Sequence, residues 1–571
     1  MTTARGVAAQ DVHVGRWRIA LVVVAMLPLA AGCAGAVQKQ TALGQLAAQA
    51  DAAATPRLDW TDCAEQQLAG YECAAARVPL DYARPDGETI ELALVRQRAG
   101  DPQRRLGTLF AAAGGPGNSG LDWARGGPMF PGEISRRFDV VTFDQRGVGA
   151  SAPVRCFADA AEQERFWSTM ILPPADAEQQ LAAERAARAY AEGCARHSGA
   201  LLPHLTTVDA ARDLDLLRRA VGEDRLTFTG GSYATYLGQV YGALFGERVR
   251  ALHLTSVIDP AVYGGDTRAE IAGTAAGTAE VFEEFLRLCA QAGRPECAFA
   301  EGGERSELVG ESGPGAAEKA GSSGTERPSV TLTTAAGPAE ADVERLRARD
   351  AALLERLRTG PITVGTGEQA VRVGYAEVVQ AHALLLYDPR QGWPALAGLL
   401  AELDRGPHGD PAPVRQALAG GATPLDFLDS FTAITCADAT LPRDPARWPA
   451  LAQETPVATP DFDDFWLYMR QPCAAWPTPE QDARHVAGPW TLISDKPALL
   501  VNNRYDPATP LEFARRAQQE LVNARLVVVE GGYGHEPGGE CVRSLRERYL
   551  IDLQLPAPGA TCTADRAPFA S

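Results

Sequence analysis

Ser232 occupies a position typical of a serine nucleophile. It stands between a short apolar run that predicts a strand and a predicted helix that begins at Tyr233. Gly230 and Gly231 allow the backbone to turn sharply there, which would leave the serine hydroxyl exposed at the helix N-terminus. The usual pattern, G-x-S-x-G, ends here in Ala234, a residue still small enough for helix and strand to pack closely. The turn therefore predicts acyl-transfer chemistry at Ser232.

Two groups that could activate this serine follow later in the chain. Asp506 comes after the apolar run 497–503, and His535 comes after the apolar run 526–530. Open parallel sheets place their functional groups just past the C-terminal ends of strands, and the order Ser, Asp, His is typical of α/β hydrolases. His535 would take the serine proton, and Asp506 would orient the imidazole. A turn carboxylate and a loop histidine are the alternatives for each residue alone, but the three in this order favour a catalytic triad.

Thr509, three residues after Asp506, is a tempting extra catalytic group. With Pro510 and Glu512 it also fits the start of a helix, in which the threonine caps the first turn. We interpret Thr509 as that cap.

A glycine-rich loop offers an oxyanion hole. Residues 114–120, GGPGNSG, follow an apolar run, and their backbone N–H groups could approach a developing negative charge. We expect the hole to form near Gly115, together with the N–H of Tyr233; a flexible glycine turn is the alternative. The next motif, residues 144–151, is predicted to support the site without a bond-making role.

Four motifs together carry a family resemblance: GGPGNSG, FDVVTFDQRGVGAS, GGSYATYLGQVYG, and DPATP followed by GGYGHE. Over residues 55–565 the chain resembles the exported tripeptidyl aminopeptidase and proline iminopeptidase branch of the α/β hydrolases. It departs from many relatives at Ala113, where they have histidine, and at Ala234. The resemblance implies release of short peptides or single residues from a free N-terminus.

Peptide hydrolysis is not the only function compatible with the motifs. An esterase or lipase would use the same triad, and a non-catalytic surface-binding lipoprotein would keep the scaffold alone. An exopeptidase needs an anion for the substrate ammonium, and Asp438 is our candidate; an ordinary carboxylate on the cap surface is the alternative. The number of residues released, the side-chain preference and the oligomeric state stay open.

The predicted elements indicate an α/β fold with a mostly parallel sheet, helices on both faces, and a large, mainly helical inserted cap. Apolar runs supply the strands, and apolar residues at helical spacing dominate the insertion. The predicted parts are an export signal (1–33), a linker (34–55), the first part of the hydrolase domain (56–261), a cap (262–485) and the last part of the hydrolase domain (486–571). Residues 301–342, rich in Gly, Ser, Glu and Ala, predict a flexible cap loop.

The N-terminus predicts export. Arg16 and Arg18 precede an apolar stretch that is too short for a comfortable membrane span and ends in small residues before Cys33. This pattern resembles a bacterial lipoprotein cleavage site, with Cys33 as the lipidated first residue. Ala30 stands where leucine is commoner, so ordinary signal cleavage is the alternative. We expect a protein at the extracellular face of the membrane, held only by lipid, or a secreted one.

The other cysteines suit an exported chain. Of the 11 cysteines, Cys33 set aside, ten remain, and an oxidising compartment favours disulfides. Short loops and the resemblance favour neighbour pairing: Cys63 with Cys73, Cys156 with Cys194, Cys289 with Cys297, Cys436 with Cys473, and Cys541 with Cys562. Metal binding is the alternative, but no C-x-x-C spacing is present. No metal or cofactor is predicted, and a net charge of -18 argues against nucleic acid as a partner.

Overall fold

A ten-stranded sheet forms the centre of the molecule. The computed structural model describes residues 42–300, 338–421, 423–454, 460–477 and 486–570. The strands are β1 (Thr61–Asp62), β2 (Glu72–Pro79), β3 (Thr89–Gln97), β4 (Gly107–Ala112), β5 (Phe138–Phe143), β6 (Leu226–Gly231), β7 (Val249–Thr255), β8 (Ile362–Val364), β9 (Val371–Val373), β10 (Ala498–Tyr505), β11 (Ala524–Tyr533) and β12 (Thr561–Thr563). The sheet order is β1-β2-β3-β5-β4-β6-β7-β10-β11-β12, antiparallel as far as β5 and parallel beyond it, while β8 and β9 form a separate pair.

Helices cover both faces of this sheet, as expected. They are α1 (42–52), α2 (Gly120–Arg125), α3 (Glu133–Arg137), α4 (Ala160–Thr169), α5 (Ala177–Ser198), α6 (Thr207–Ala220), α7 (Tyr233–Phe245), α8 (Pro260–Tyr263), α9 (Thr267–Ala292), α10 (Pro338–Thr359), α11 (Tyr375–Leu385), α12 (Gly392–Arg405), α13 (Pro411–Gly420), α14 (Leu425–Asp438), α15 (Trp448–Glu454), α16 (Pro460–Tyr468), α17 (Leu511–Leu521) and α18 (Glu540–Asp552). Successive strand side chains point to opposite faces. Phe110 therefore joins a core with α6 and α7, while Leu109 joins a core with α2 and α18. The mostly parallel α/β fold is confirmed.

A separate apolar core lies among α9 to α13, α15 and α16. It buries Phe285, Trp393 and Trp448 completely. The predicted flexible loop overlaps this region: residues 338–342 are helical, as the first turn of α10, because the helical pattern starts earlier than the composition suggested. Residues 301–337 lie outside the described part of the chain.

The predicted linker 34–55 is wrong for its described part. Residues 42–52 form α1, whose apolar side chains recur at helical spacing and enter the core with α6 and α7, with Leu43 and Ala50 buried. Its end is held by Arg219, which donates to the carbonyl of Ala50 at 2.8 Å. The export signal 1–33, including Cys33, and residues 34–41 lie outside the described residues.

Helices α4 and α5, which we assigned to the hydrolase part, pack against α14. Tyr190 on α5 donates to the Asp429 carboxylate at 2.8 Å, and Gln163 on α4 donates to the Leu425 carbonyl at 2.9 Å. One carboxylate and one carbonyl acceptor on α14 are thus satisfied by donors 239 and 262 residues earlier in the sequence.

Five disulfides join the ten cysteines in the neighbour pairing expected from the sequence. They are Cys63–Cys73, Cys156–Cys194, Cys289–Cys297, Cys436–Cys473 and Cys541–Cys562. The Cys436–Cys473 bond ties the end of α14 to the turn that follows α16. Over the described ranges, no helix is both long and apolar enough to cross a membrane.

Candidate active site

Ser232 sits in a strained turn between β6 and α7. Its φ of 56° lies in the left-handed region, which is unusual for a residue with a side chain. The turn is held by backbone bonds on both sides: the Ser232 N–H donates to the Thr255 carbonyl at 3.0 Å, and the Ser232 carbonyl accepts from the Thr235 hydroxyl at 2.7 Å. The strain is typical of a nucleophile elbow.

His535 and Asp506 form a hydrogen-bonded pair past the ends of adjacent strands. The Asp506 carboxylate oxygens lie 2.9 and 3.1 Å from His535 Nδ1. Asp506 is buried, and its carboxylate also accepts the N–H groups of Ala508 and Thr509, each at 2.9 Å. Within the described residues, His535 Nε2 has no hydrogen bond, and Ser232 makes none with the imidazole. Such contacts commonly tighten only when substrate binds.

Thr509 does not cap a helix, contrary to our interpretation. Helix α17 begins at Leu511, with Pro510 at its N-cap position and no side-chain cap. The Thr509 hydroxyl instead donates to Asp506 at 2.9 Å. It therefore helps to fix the Oδ2 atom of Asp506, which also lies 3.1 Å from His535 Nδ1.

The cap region closes over His535. The His535 N–H donates to the Tyr387 carbonyl at 2.9 Å, and the two rings lie 4.9 Å apart between centroids. Burial would lower the pKa of His535, but the Asp506 carboxylate and, more weakly, Glu536 outweigh it and raise the pKa above the ordinary 6.5. The pair therefore favours the imidazolium that forms during acyl transfer.

Glu536 is a site residue that sequence reasoning missed. Its N–H donates to Ser256 at 2.9 Å, and its carboxylate accepts from the Thr255 hydroxyl at 2.8 Å. A Cβ added to Gly231 would lie 2.0 Å from Glu536 Oε1, so a larger residue there would displace the Glu536 carboxylate. The residue before Ser232 thus touches the residue after His535, which brings the two loops side by side.

Two asparagines in the β10 run position the loops around Asp506 and His535. Asn502 accepts the Val257 N–H at 2.7 Å and donates to the Thr509 carbonyl at 3.1 Å. Asn503 donates to the Gly534 carbonyl at 2.9 Å. Two buried amides in a central strand were the available signal, since such groups need partners.

The glycine loop lies against the elbow. A Cβ on Gly114 would come 3.0 Å from Ser232 Cβ and 3.6 Å from the Tyr233 nitrogen, so the close approach requires glycine. Gly115, our candidate, follows with φ of 112° and faces Phe427 of α14. Backbone N–H groups of this loop and of Tyr233 therefore share one region.

Residues 144–151 buttress that loop, as their interpretation required. The Asp144 carboxylate accepts from the Ser119 hydroxyl at 2.7 Å and from the Ala150 N–H at 2.8 Å. Arg146 is completely buried and forms an ion pair with Asp213 at 2.6 Å. These bonds hold residues 144–151 in place against the glycine loop.

Asp438 is buried, at 6% exposure, so the alternative of an exposed cap carboxylate is wrong. It accepts the Thr207 N–H at 3.0 Å and the Thr207 hydroxyl at 2.5 Å. That hydroxyl lies 2.6 Å from the phenol of Tyr233, which donates to it. Burial raises the pKa of Asp438 to about 7, partly offset by the Thr207 bonds. Two hydrogen bonds thus connect Asp438 to the helix that follows Ser232.

Comparison with known proteins agrees with the fold. Residues 109–292 match the alpha/beta hydrolase fold family, and residues 458–562 match a family described as TAP-like protein. The chain is 29% identical to a tripeptidyl aminopeptidase of Streptomyces lividans, covering 90% of this chain and 88% of the relative. It is also 29% identical to carboxylesterase B of Mycobacterium tuberculosis (94% and 95% covered) and 28% identical to serine protease Hip1 of the same organism (88% and 91%).

The two matched families cover the segments that hold Ser232 and the pair of Asp506 and His535. The relatives span nearly the whole chain, including the insertion between those segments. The chain has the α/β-hydrolase fold, and over nearly its whole length it is similar to a tripeptidyl aminopeptidase, a carboxylesterase and a serine protease.

Proposed function

We propose that this protein is a serine aminopeptidase that releases short peptides or single residues from free N-termini. The observation that carries the proposal is the Asp506–His535 pair beside the strained Ser232 turn, with a glycine loop at the same edge of the sheet. The tripeptidyl aminopeptidase and serine protease relatives support a peptide substrate.

The geometry supports ordinary acyl transfer. His535 Nε2 takes the proton of Ser232 Oγ, which attacks the substrate carbonyl carbon while Asp506 stabilises the imidazolium. N–H groups of Tyr233 and Gly115 would hold the oxyanion. His535 then protonates the leaving amine as the C–N bond breaks, and water releases the acyl group by the same route.

Asp438 is our candidate acceptor for the substrate ammonium. Glu270, a second buried carboxylate near the site, lies 3.6 Å from Arg470 and so has a counter-ion. Asp438 has no cation within 4.0 Å among the described residues. A buried carboxylate with a pKa near 7 gains most from a cationic partner, because pairing stabilises its ionised form.

Blocking the substrate amine tests this function. Acetylation should reduce kcat/KM at least about tenfold, because it removes a charge-assisted contact worth about 1.5–3 kcal/mol. The measurement compares matched free and acetylated peptides of the same sequence. Equal cleavage of both would exclude the aminopeptidase and leave an ester substrate, as in the carboxylesterase relative.

Asp438→Asn should narrow the gap between free and acetylated peptides without abolishing cleavage of a small ester. Asp429→Asn is the matched control, since Asp429 is buried on the same helix but accepts from Tyr190 and not from Thr207. If the difference in kcat/KM between free and acetylated peptides were unchanged in Asp438→Asn, Asp438 would not be the group that binds the substrate ammonium.

We further propose that the protein works outside the cell, attached through a lipidated Cys33. The five disulfides and the tripeptidyl aminopeptidase relatives support an extracellular location. Cys33→Ser should move the protein from the membrane fraction to the medium, because lipid chains would supply most of the attachment. Unchanged fractionation would mean that Cys33 is not the anchor.

A further inference from the structure

A small cavity lies beside the glycine loop, between α4, α14 and α16. Its volume is about 200 Å³, and its walls include Trp167, Met170, Leu428, Phe431 and Met469. Binding sites for whole drug-sized molecules measure about 300–1,000 Å³. The cavity therefore suits one side chain better than a complete small molecule.

Helix α14 lines the cavity and also contacts the glycine loop of the active site. A Cβ on Gly117 would lie 2.8 Å from the Phe431 nitrogen, and one on Gly115 would lie 2.9 Å from the Phe427 ring. The rings of Phe427 and Phe431 stack, with centroids 5.2 Å apart. One layer of aromatic side chains therefore separates the cavity from the glycine loop.

The residues that line the cavity favour a ligand with an apolar side chain and a polar backbone, as in a peptide. Trp167, Met170, Leu428 and Met469 are only half-buried, so apolar surface stays unpaired around the opening. The buried indole N–H of Trp167 has no hydrogen-bond partner among the described residues. A peptide would cover the apolar surface by inserting an apolar side chain, and one of its carbonyl oxygens would accept the indole N–H.

We propose that this cavity is a substrate subsite that accepts one large apolar side chain of the bound peptide. The inference rests on the proposed function, since it needs a peptide at the glycine loop. Flexible methionine side chains adapt to different shapes, so the subsite accepts leucine, isoleucine and methionine alike.

Unblocked peptides that differ at one position test the subsite in the wild-type protein. At one position, leucine should exceed alanine in kcat/KM by at least about tenfold, because even single methylene groups can discriminate at that level. Aspartate at the same position should be worse than alanine. No apolar preference at any position would overturn the proposal.

Variants of the wall locate the preference. Leu428→Trp should reduce the leucine-to-alanine ratio, because the larger ring fills the cavity, while Met469→Ala should shift the preference towards phenylalanine. Leu181→Trp is the control, since Leu181 is 57% exposed on α5. If the leucine-to-alanine ratio changes no more in Leu428→Trp than in the control, the cavity is not the subsite. If Leu428→Trp does not fold, an unchanged preference in Met469→Ala would overturn the proposal in the same way.

The failure of the proposed function can be told apart from the failure of the subsite. Equal cleavage of free and acetylated peptides would exclude the aminopeptidase only, because the leucine-to-alanine ratio reports on the subsite whether or not the amine is blocked.

Discussion

Two histidine–aspartate pairs within the described part of the chain, His382 with Asp350 and His535 with Asp506, differ in whether the second ring nitrogen has a partner. In the cap region, His382 Nε2 lies 2.9 Å from Asp350, the same separation as His535 Nδ1 from Asp506. The second nitrogen of His382 is also held, by the Val378 carbonyl at 2.8 Å. His535 keeps its second nitrogen free of partners in the described part of the chain. A carboxylate on an imidazole is thus not sufficient for a base; one nitrogen must stay available beside a nucleophile.

The electrostatics of the two pairs are similar. Burial would lower the pKa of His382, but Asp350 and the Val378 carbonyl raise it above 6.5, as Asp506 does for His535. His382 is 1% exposed and packs edge-on against Phe282 with ring centroids 4.9 Å apart. With both nitrogens donating, its pair has a structural role in the cap core.

The largest expected difference between the pairs is in turnover. Ser232→Ala or His535→Ala should lower kcat by about 10⁴- to 10⁶-fold, and the double variant should be little worse, because the residues act as a unit. His382→Ala should retain kcat per folded molecule. Single-turnover assays on protein of verified folded fraction measure this. If the Ser232→Ala protein kept more than about a tenth of wild-type activity, Ser232 would not be the nucleophile.

The second difference is in stability. Asp350→Asn should lower the free energy of unfolding by about 3–5 kcal/mol, because it leaves a buried histidine without its counter-ion. The folded-state pKa of His382 is raised, so its contribution is fully present below the unfolded value near 6.5 and is lost as the pH rises through the folded pKa. Urea unfolding at about pH 6 and about pH 9 should therefore show the larger loss at the lower pH. A loss independent of pH would mean that the pair is not ionic.

The smallest expected effect is a change in the pH profile. The charged groups facing His535 are Asp506 and Glu536, and Tyr387 covers the ring. Glu536→Gln should move the acid limb of kcat/KM to lower pH, because a neutral neighbour stabilises the imidazolium less and the free base forms sooner. Glu530→Gln, an exposed residue of β11, is the matched control. A limb that stays in place would show that Glu536 only holds the loop.

Local signals were enough to predict the sheet and the positions of Ser232, Asp506 and His535. Each residue follows an apolar run, and the ends of parallel strands meet at one edge. The predicted cysteine pairing relied on short separations and on the family resemblance. These features depend on neighbours in sequence, which a single chain displays directly.

Residues whose partners are distant in sequence were missed or misinterpreted. Thr509 fits a helix cap by pattern, but its hydroxyl binds Asp506, since the carboxylate is the stronger acceptor. Residues 42–52 were predicted as linker because their apolar positions have no visible partner until α6 and α7 form the core. Glu536 gained its role from Thr255 and Ser256, about 280 residues earlier.

The disulfide between Cys436 and Cys473 affects when in the life of the protein the active site is complete. The bond lies at the end of α14, and this helix covers the glycine loop, borders the apolar cavity and carries Asp438. Disulfides persist in oxidising compartments and are rare in a reducing cytosol. We expect newly made chains to lack this cross-link until they leave the cytosol, so that full peptide selection matures only after export and the cell's own peptides are spared beforehand. If the Cys436→Ser/Cys473→Ser protein had the same peptide selectivity as the wild-type protein, this expectation would be wrong.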